Sequence, residues 1–211
     1  MKRMPYILLA AVLALMLMAP VAGADVDTGM EGLWTGATGG GQLTLLLGSG
    51  GTYISIFEAD QTYRQAGMFS VDADNMYLSM SDGTESTLAY GFAEGTLTLT
   101  GDGLDAELER VDYAPEDGLT GVWVVEPSDG GGSGLIAMDA GGGFVSLDAS
   151  TGEAAKGIYL TDQGDLLVAY QDATSMQLGY QLDATNDTLT LTNQGDGTAA
   201  TLVRFVSPAT E

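Results

Sequence analysis

Thr96-Leu97-Thr98-Leu99-Thr100 recurs unchanged as Thr188-Leu189-Thr190-Leu191-Thr192, 92 positions later. Further towards the N-terminus, Gly32-Leu33-Trp34 returns as Gly121-Val122-Trp123, 89 positions later. A repeat of about 90 residues is too long for a solenoid unit and has the size of a small self-contained domain. The sequence therefore predicts a tandem duplication.

Each half of the chain shows the pattern of successive hairpins. Short runs of alternating apolar and polar residues lie between Gly, Asp and Asn clusters, and no window keeps a helical period. We predict about eight short strands in each half. Closing such a meander removes its exposed edges, so we expect an all-β fold of two tandem small antiparallel up-and-down β-barrels. Two open meanders packed as one sandwich are the alternative.

The domain boundaries follow from the repeat. Tyr113-Ala114-Pro115-Glu116-Asp117-Gly118 has the proline and acids of an exposed connection. We therefore assign residues 25–112 to the first barrel, residues 113–118 to a linker and residues 119–211 to the second barrel. The linker is short, so the two halves are expected to touch.

Alternation along each strand predicts which side chains face the barrel interior, because successive side chains point to opposite faces. The predicted inward sets correspond between the halves: Ile54 and Ile56 with Val145 and Leu147; Leu88, Tyr90 and Phe92 with Leu178, Tyr180 and Leu182; Leu97 and Leu99 with Leu189 and Leu191.

The first 24 residues have the layout of a secretory signal peptide. Lys2 and Arg3 precede an apolar run over residues 6–18, and Ala22-Gly23-Ala24 offers a small-x-small cleavage site. The alternative is an uncleaved membrane anchor, but the run is shorter than the roughly 20 residues that span a bilayer. Asp25 stands where a lipoprotein would need cysteine. We predict cleavage after Ala24 and secretion.

Composition limits the chemistry available. The chain has 29 Asp and Glu against 6 Lys and Arg, a formal net charge of −23. Such a surface repels nucleic acid and anionic membranes. The chain has no His and no Cys, which removes catalytic triads, disulfides and His- or Cys-based metal sites. We expect no cofactor.

An arginine stands on an apolar strand face near the end of each half. Arg110 alternates in phase with Leu108, and Arg204 with Leu202. A charge on such a face needs a partner, and barrel closure brings the first strand, with Trp34 or Trp123, beside the last. A guanidinium over an indole contributes about 1–2 kcal/mol when partly desolvated. We predict these pairs as structural closure devices.

Gly-x-Trp on the first strand with Arg on the last resembles the signature of lipocalins and the wider calycins. Gly32-Leu33-Trp34 with Arg110, and Gly121-Val122-Trp123 with Arg204, both carry it. The chain also resembles the small lipocalin-like domains of secreted bacterial proteins. The resemblance implies an eight-stranded barrel in each half, with the tryptophan–arginine pair as a structural element. The strands here are shorter than those of lipocalins, which leaves little room for a large cavity.

Two kinds of candidate site remain. Some inward side chains could line a small apolar pocket or simply fill the core: Met68, Met76, Met80, Tyr90, Met138, Tyr170 and Tyr180. Acidic turns could bind Ca²⁺, although Asp and Asn are also ordinary turn residues and none of the three has EF-hand spacing. These turns are Asp72-Ala73-Asp74-Asn75, Asp162-Gln163-Gly164-Asp165 and Asp183-Ala184-Thr185-Asn186-Asp187.

The function that these features favour is a secreted, non-catalytic binding module. Its partner would be a small apolar molecule or an extracellular protein or glycan bound by loops at the barrel ends. The alternative is a structural or interaction domain with filled barrels and no small ligand. Carboxylate pairs carry out acid–base chemistry in glycosidases. Among 29 acidic residues, however, some pair will lie at the distance that a glycosidase requires by chance alone. Such a pair is therefore no evidence of catalysis, and we predict that the protein is not an enzyme.

Overall fold

The computed structural model describes residues 29–80, 82–93, 95–101, 103–115, 118–125, 134–149 and 151–205. Within these ranges sixteen strands form two closed antiparallel barrels of eight strands each. The all-β fold of two tandem up-and-down barrels is confirmed, and the open-meander alternative is wrong. The predicted signal peptide, residues 1–24, lies outside the described residues.

The first barrel runs in chain order around its circumference. Its strands are β1 (Gly32–Ala37), β2 (Gln42–Leu47), β3 (Thr52–Glu58), β4 (Thr62–Val71), β5 (Asn75–Met80), β6 (Glu85–Ala93), β7 (Thr96–Gly101) and β8 (Leu104–Val111). The barrel closes where β1 pairs with β8, and there Trp34 lies directly opposite Arg110.

The second barrel repeats this order. Its strands are β9 (Gly121–Val125), β10 (Gly134–Met138), β11 (Gly143–Asp148), β12 (Ala154–Asp162), β13 (Asp165–Tyr170), β14 (Ser175–Asp183), β15 (Thr188–Asn193) and β16 (Ala199–Arg204). It closes where β9 pairs with β16, and Trp123 lies opposite Arg204. The two seams therefore have the same register.

Each barrel encloses its own apolar core. Leu97 and Leu99 of β7 belong to the first core, and Leu189 and Leu191 of β15 belong to the second. The inward sets of β6 and β14 also pack against these cores, except that Phe92 is 41% exposed. The alternation was therefore interpreted correctly for these four strands.

The predicted orientation of β3 is wrong. Tyr53 belongs to the first core and Phe57 packs against it, so these residues face inward. Ile54 and Ile56 face outward into a third apolar cluster. Both faces of β3 are apolar, which is why alternation alone gave no unique orientation.

The corresponding orientation of β11 is also wrong. Phe144 belongs to the second core. Ser146 and Asp148 share its face and are buried, whereas Val145 and Leu147 alternate with them and point outward, half-buried. The second barrel thus encloses polar side chains that the apolar pattern did not indicate.

The third apolar cluster joins the outer faces of the two barrels. Ile54 and Ile56 of β3 pack with Ile158 and Leu160 of β12 and with Leu167 of β13. Burying a large aliphatic side chain contributes about 1.5–3 kcal/mol. The two barrels are therefore packed together through a hydrophobic interface, as the short linker led us to expect.

Two features mark how closely the barrels approach. A Cβ on Gly48 would lie 2.3 Å from Cγ2 of Ile158, so a larger residue at this position requires the interface to open. Tyr113, from the predicted linker, donates its hydroxyl hydrogen to the carbonyl oxygen of Tyr159 at 3.1 Å. The two rings meet edge to face, with centroids 5.8 Å apart. Tyr113 is thus part of the interface.

Candidate functional site

The seam of the first barrel brings Trp34 and Arg110 together. The guanidinium carbon of Arg110 lies 4.7 Å from the centroid of the indole ring, and the indole is fully buried. Nε1 of Trp34 donates to the carbonyl oxygen of Met30 at 2.8 Å. Nη2 of Arg110 donates to the carbonyl oxygen of Gly29 at 2.5 Å. Both side chains therefore bind the segment that leads into β1.

The seam of the second barrel repeats this geometry. The guanidinium carbon of Arg204 lies 4.3 Å from the ring centroid of Trp123. Nε1 of Trp123 donates to the carbonyl oxygen of Leu119 at 2.8 Å, and Nη1 of Arg204 donates to that of Thr120 at 2.8 Å. Arg204 also forms an ion pair with Asp187 at 3.1 Å. Arg204 therefore binds the segment that leads into β9, as Arg110 binds the segment that leads into β1.

The sequence reasoning missed the residue that these hydrogen bonds hold in place. Met30 is 1% exposed and Leu119 is fully buried, and each packs into the core of its own barrel. Each stands four positions before its tryptophan, so a comparison of the two halves over Met30–Trp34 and Leu119–Trp123 would have revealed it. The repeated unit is therefore a buried apolar residue, a glycine and a tryptophan.

The glycine of this unit has an unusual backbone conformation in both barrels, and in the second barrel it also leaves room for the arginine. Gly32 and Gly121 have φ values of +131° and +133°, which side-chain-bearing residues rarely adopt. A Cβ on Gly121 would lie 2.7 Å from Nη1 of Arg204, whereas a Cβ on Gly32 would have Nε of Arg110 at 4.0 Å as its nearest neighbour.

We expect Gly121→Ala to destabilise the protein by more than about 1 kcal/mol, and by more than the matched change Gly32→Ala. Both changes strain the backbone, but only the first also collides with its arginine. Chemical denaturation of the two variants measures the difference. Equal losses would contradict the steric role of Gly121.

The predicted pocket residues of the first barrel separate into two groups. Met76 is fully buried, and Met80 and Tyr90 pack against the same core. The prediction for Met68 is wrong: it alternates with the buried core residue Phe69 and therefore points outward. Met76, Met80 and Tyr90 therefore lie in the core of the first barrel or against it.

The pocket residues of the second barrel are packed in the same way. Met138 is 3% exposed and Tyr170 is 5% exposed, and Tyr180 packs against their cluster. The rings of Phe144 and Tyr170 meet edge to face, with centroids 5.7 Å apart. Burial raises the pKa of the Tyr170 hydroxyl well above its ordinary value. Tyr170 therefore packs inside the second core, against Phe144.

A buried hydroxyl in the first barrel leads to the same conclusion. Tyr53 is fully buried, and its hydroxyl has no hydrogen-bond partner among the described residues. Burial, with a smaller contribution from the carboxylate of Asp82, raises the pKa of Tyr53 to about 12. The surroundings of the Tyr53 hydroxyl thus disfavour its ionised form.

The acidic turns use their carboxylates to hold the turn. Oδ1 of Asp72 accepts from the backbone N–H groups of Asp74 at 3.0 Å and Asn75 at 2.8 Å. Oδ1 of Asp183 does the same for the two backbone N–H groups at 185 and 186. Within the described ranges no group of three acidic side chains is arranged to hold a metal ion. These geometries are those of Asx turns.

The Asp72 turn gives a pH prediction. The hydroxyl of Tyr77 and the backbone N–H groups of the turn lower the pKa of Asp72 from 3.8 to about 2. Its stabilising effect is therefore complete above about pH 4 and is lost as the pH falls towards 2. NMR titration should give a midpoint near 2 for Asp72. The variant Tyr77→Phe, which removes the largest cause, should raise that midpoint; an unchanged midpoint would contradict the assignment.

The third acidic turn has another role. Asp162 accepts from Nε of Arg64 at 2.8 Å and also from Nη2 of the same side chain, across the junction of the barrels. Asp165 lies 3.9 Å from Nη2 and also accepts from Nε2 of Gln177 at 2.9 Å. Arg64 and Asp162 are 98 positions apart, so no local pattern predicted their contact.

No family model and no curated protein matches the chain. Among solved structures, the chain is similar to the crystal structure of the Cpx pathway activator NlpE from Escherichia coli, at 14% identity and a TM-score of 0.26. The alignment covers 80% of this chain and 94% of that chain. Among the described residues, no helix is long and apolar enough to cross a membrane. The chain's own architecture, two closed eight-stranded up-and-down barrels in tandem, is the lipocalin-like one that the sequence predicted.

Proposed function

We propose that this chain is a secreted, non-catalytic interaction module in which two filled barrels serve as a rigid scaffold. Its partner is an extracellular protein or glycan that contacts the outer surface and the loops. The observation that carries this proposal is the packing of Met76, Met138 and Tyr170, which are at most 5% exposed inside the two cores. A small apolar ligand would have to displace these side chains.

The carboxyl groups support the non-catalytic part of the proposal. A general acid needs a pKa raised towards neutrality. The pKa values of Asp72, Asp82, Asp183 and Asp196 are shifted in the opposite direction, because hydrogen bonds within their own turns stabilise the charged form. These carboxyl groups are therefore unsuited to act as general acids.

Exposed aromatic side chains offer contact points for a partner. Tyr63 is 55% exposed, and its ring stacks on Phe57 with centroids 6.4 Å apart. Aromatic residues are enriched at protein interfaces, since a rigid ring buries a large area at a low cost in conformational entropy. The stacked pair at the β3–β4 hairpin is the surface that we expect a partner to contact.

Native mass spectrometry of the protein recovered from the medium of its own host tests the filled-barrel proposal. We expect the mass of the mature chain without a stoichiometric small molecule. A reproducible apolar passenger at one equivalent per chain would contradict it and would favour the ligand-carrier alternative. The variant Tyr77→Ala, an exposed aromatic outside the Phe57–Tyr63 pair, serves as the control for Tyr63→Ala in assays with any partner identified.

A further inference from the structure

A cleft of about 350 Å³ lies at the junction of the two barrels and is lined by residues of both. Met80, Leu167 and Met176 contribute apolar side chains to it, and Arg64 and Asp82 contribute charges. We propose that this cleft binds a primary alkylammonium group, with the cation beside Asp82 and the aliphatic chain against the two methionines.

The charges around the cleft favour a positively charged ligand. Asp162 and Asp165 already compensate Arg64, at 2.8 Å from Nε and 3.9 Å from Nη2 respectively. Asp82 forms no ion pair with any described residue; its Oδ1 accepts from the backbone N–H of Thr84 at 2.8 Å. The uncompensated charge in the cleft is therefore negative.

Asp82 stays ionised over the working pH range. Hydrogen bonds from the backbone and side chain of Thr84 lower the pKa of its carboxyl group. The formal net charge of −23 also raises the local concentration of cations around the whole molecule. A test of the cleft must separate its own contribution from this general attraction.

The remaining lining suits a short aliphatic chain. Met80 packs against the first core and Met176 against the second, and unbranched methionine side chains adapt to different shapes. Gln177 donates through Nε2 to Asp165 at 2.9 Å, which leaves its carbonyl oxygen to accept an ammonium hydrogen. The volume is near the lower limit of about 300 Å³ for ligand pockets, which restricts the occupant to a small group.

This inference does not depend on the proposed function, because Met76, Met138 and Tyr170, which carry that proposal, do not line the cleft. Native mass spectrometry tests the filled interior, and the titration below tests the cleft. Either proposal can fail while the other stands.

The experiment is a titration of the mature chain, carrying ¹³C-methyl methionine, with 3-methylbutylammonium chloride at constant ionic strength. We expect saturable shifts of the Met80 and Met176 methyl resonances. Asp82→Asn should weaken binding by about tenfold, since it removes the negative charge that the ammonium group would face. The amide retains the acceptor that holds the Thr84 turn. The matched control Asp60→Asn removes the same charge from another exposed turn and should change the affinity by less than about twofold.

Three related probes define the chemistry. 4-Methylpentanoate, which has a carboxylate in place of the ammonium group, should not bind, and leucine, which carries both groups, should bind more weakly than the amine. Lysine blocked at its α-amino and carboxyl groups distinguishes the source of the ligand. If blocked lysine binds tightly, the natural ligand is a lysine side chain of a protein. If blocked lysine binds weakly, the natural ligand is a free amine. Non-saturable shifts, equal losses in Asp82→Asn and Asp60→Asn, or tight binding of 4-methylpentanoate would overturn the proposal.

Discussion

Replacing Trp34 with alanine should lower the free energy of unfolding by about 3–5 kcal/mol. The indole is fully buried, lies 4.7 Å from the guanidinium carbon of Arg110 and meets the ring of Phe92 at 5.8 Å. Its Nε1 also holds Met30 in the end of the barrel. Urea denaturation followed by far-UV circular dichroism measures the loss without relying on tryptophan fluorescence.

The same variant also tests the pairing itself. Arg110→Ala and the double variant complete a double-mutant cycle, which should give a coupling energy of about 1 kcal/mol or more. The control cycle pairs Trp34→Ala with Arg204→Ala, which lies in the other barrel and should be additive within about 0.5 kcal/mol. Additive losses for Trp34 and Arg110 would contradict the role of their contact in closing the seam.

Ile54→Ala should cost about 2–5 kcal/mol, because Ile54 is fully buried in the interface between the barrels. The repeat supplies the matched control: Val145 stands at the equivalent position of β11, on the outer face, and is half-buried. Val145→Ala should cost about 1 kcal/mol or less. The two sites have the same position in the same barrel topology, so the interface accounts for the difference that remains after about 0.8 kcal/mol is subtracted for the extra methylene of isoleucine.

Denaturation of the two variants under identical conditions measures the difference. A loss for Ile54→Ala no larger than that for Val145→Ala would mean that the packing between the barrels contributes no stability. A larger loss, accompanied by exchange broadening of Ile158 and Leu167 methyl resonances across the interface, would show that the two barrels stabilise each other.

The fold was predictable because its signals are local and occur twice. Trp34 and Arg110 have counterparts in Trp123 and Arg204, and only the pairing of first and last strands brings each pair together. The turn residues and the alternation of β7 and β15 act over a few residues, so they can be interpreted without knowing the rest of the structure. Duplication then provides an independent check on each assignment.

The orientation of β3 was not predictable because it depends on the other barrel. An isolated barrel has one buried face, so Ile54 and Ile56 were assigned inward. In the structure they pack against Ile158 and Leu160, while Tyr53 occupies the interior. A strand buried on both faces loses the alternation that would identify its inner face.

The candidate site was likewise predictable only where its signals are local. Met76 and Met138 were correctly expected to point inward, but composition cannot distinguish a lined pocket from a filled core. The ion pair between Arg64 and Asp162 joins residues 98 positions apart. Its geometry arises only when the barrels pack, so the cleft beside it has no signature in either half alone.

Nuclear Overhauser spectroscopy tests the closure of both barrels most directly. Closure of both seams predicts cross-strand contacts between the backbones of Trp34 and Arg110 and between those of Trp123 and Arg204, because each pair lies in register at its seam. It also predicts upfield ring-current shifts for the side-chain protons of both arginines, whose guanidinium carbons lie 4.7 Å and 4.3 Å from the indole centroids. Unshifted arginine protons together with rapid amide exchange along β1 and β8 would show an open sheet and would contradict it.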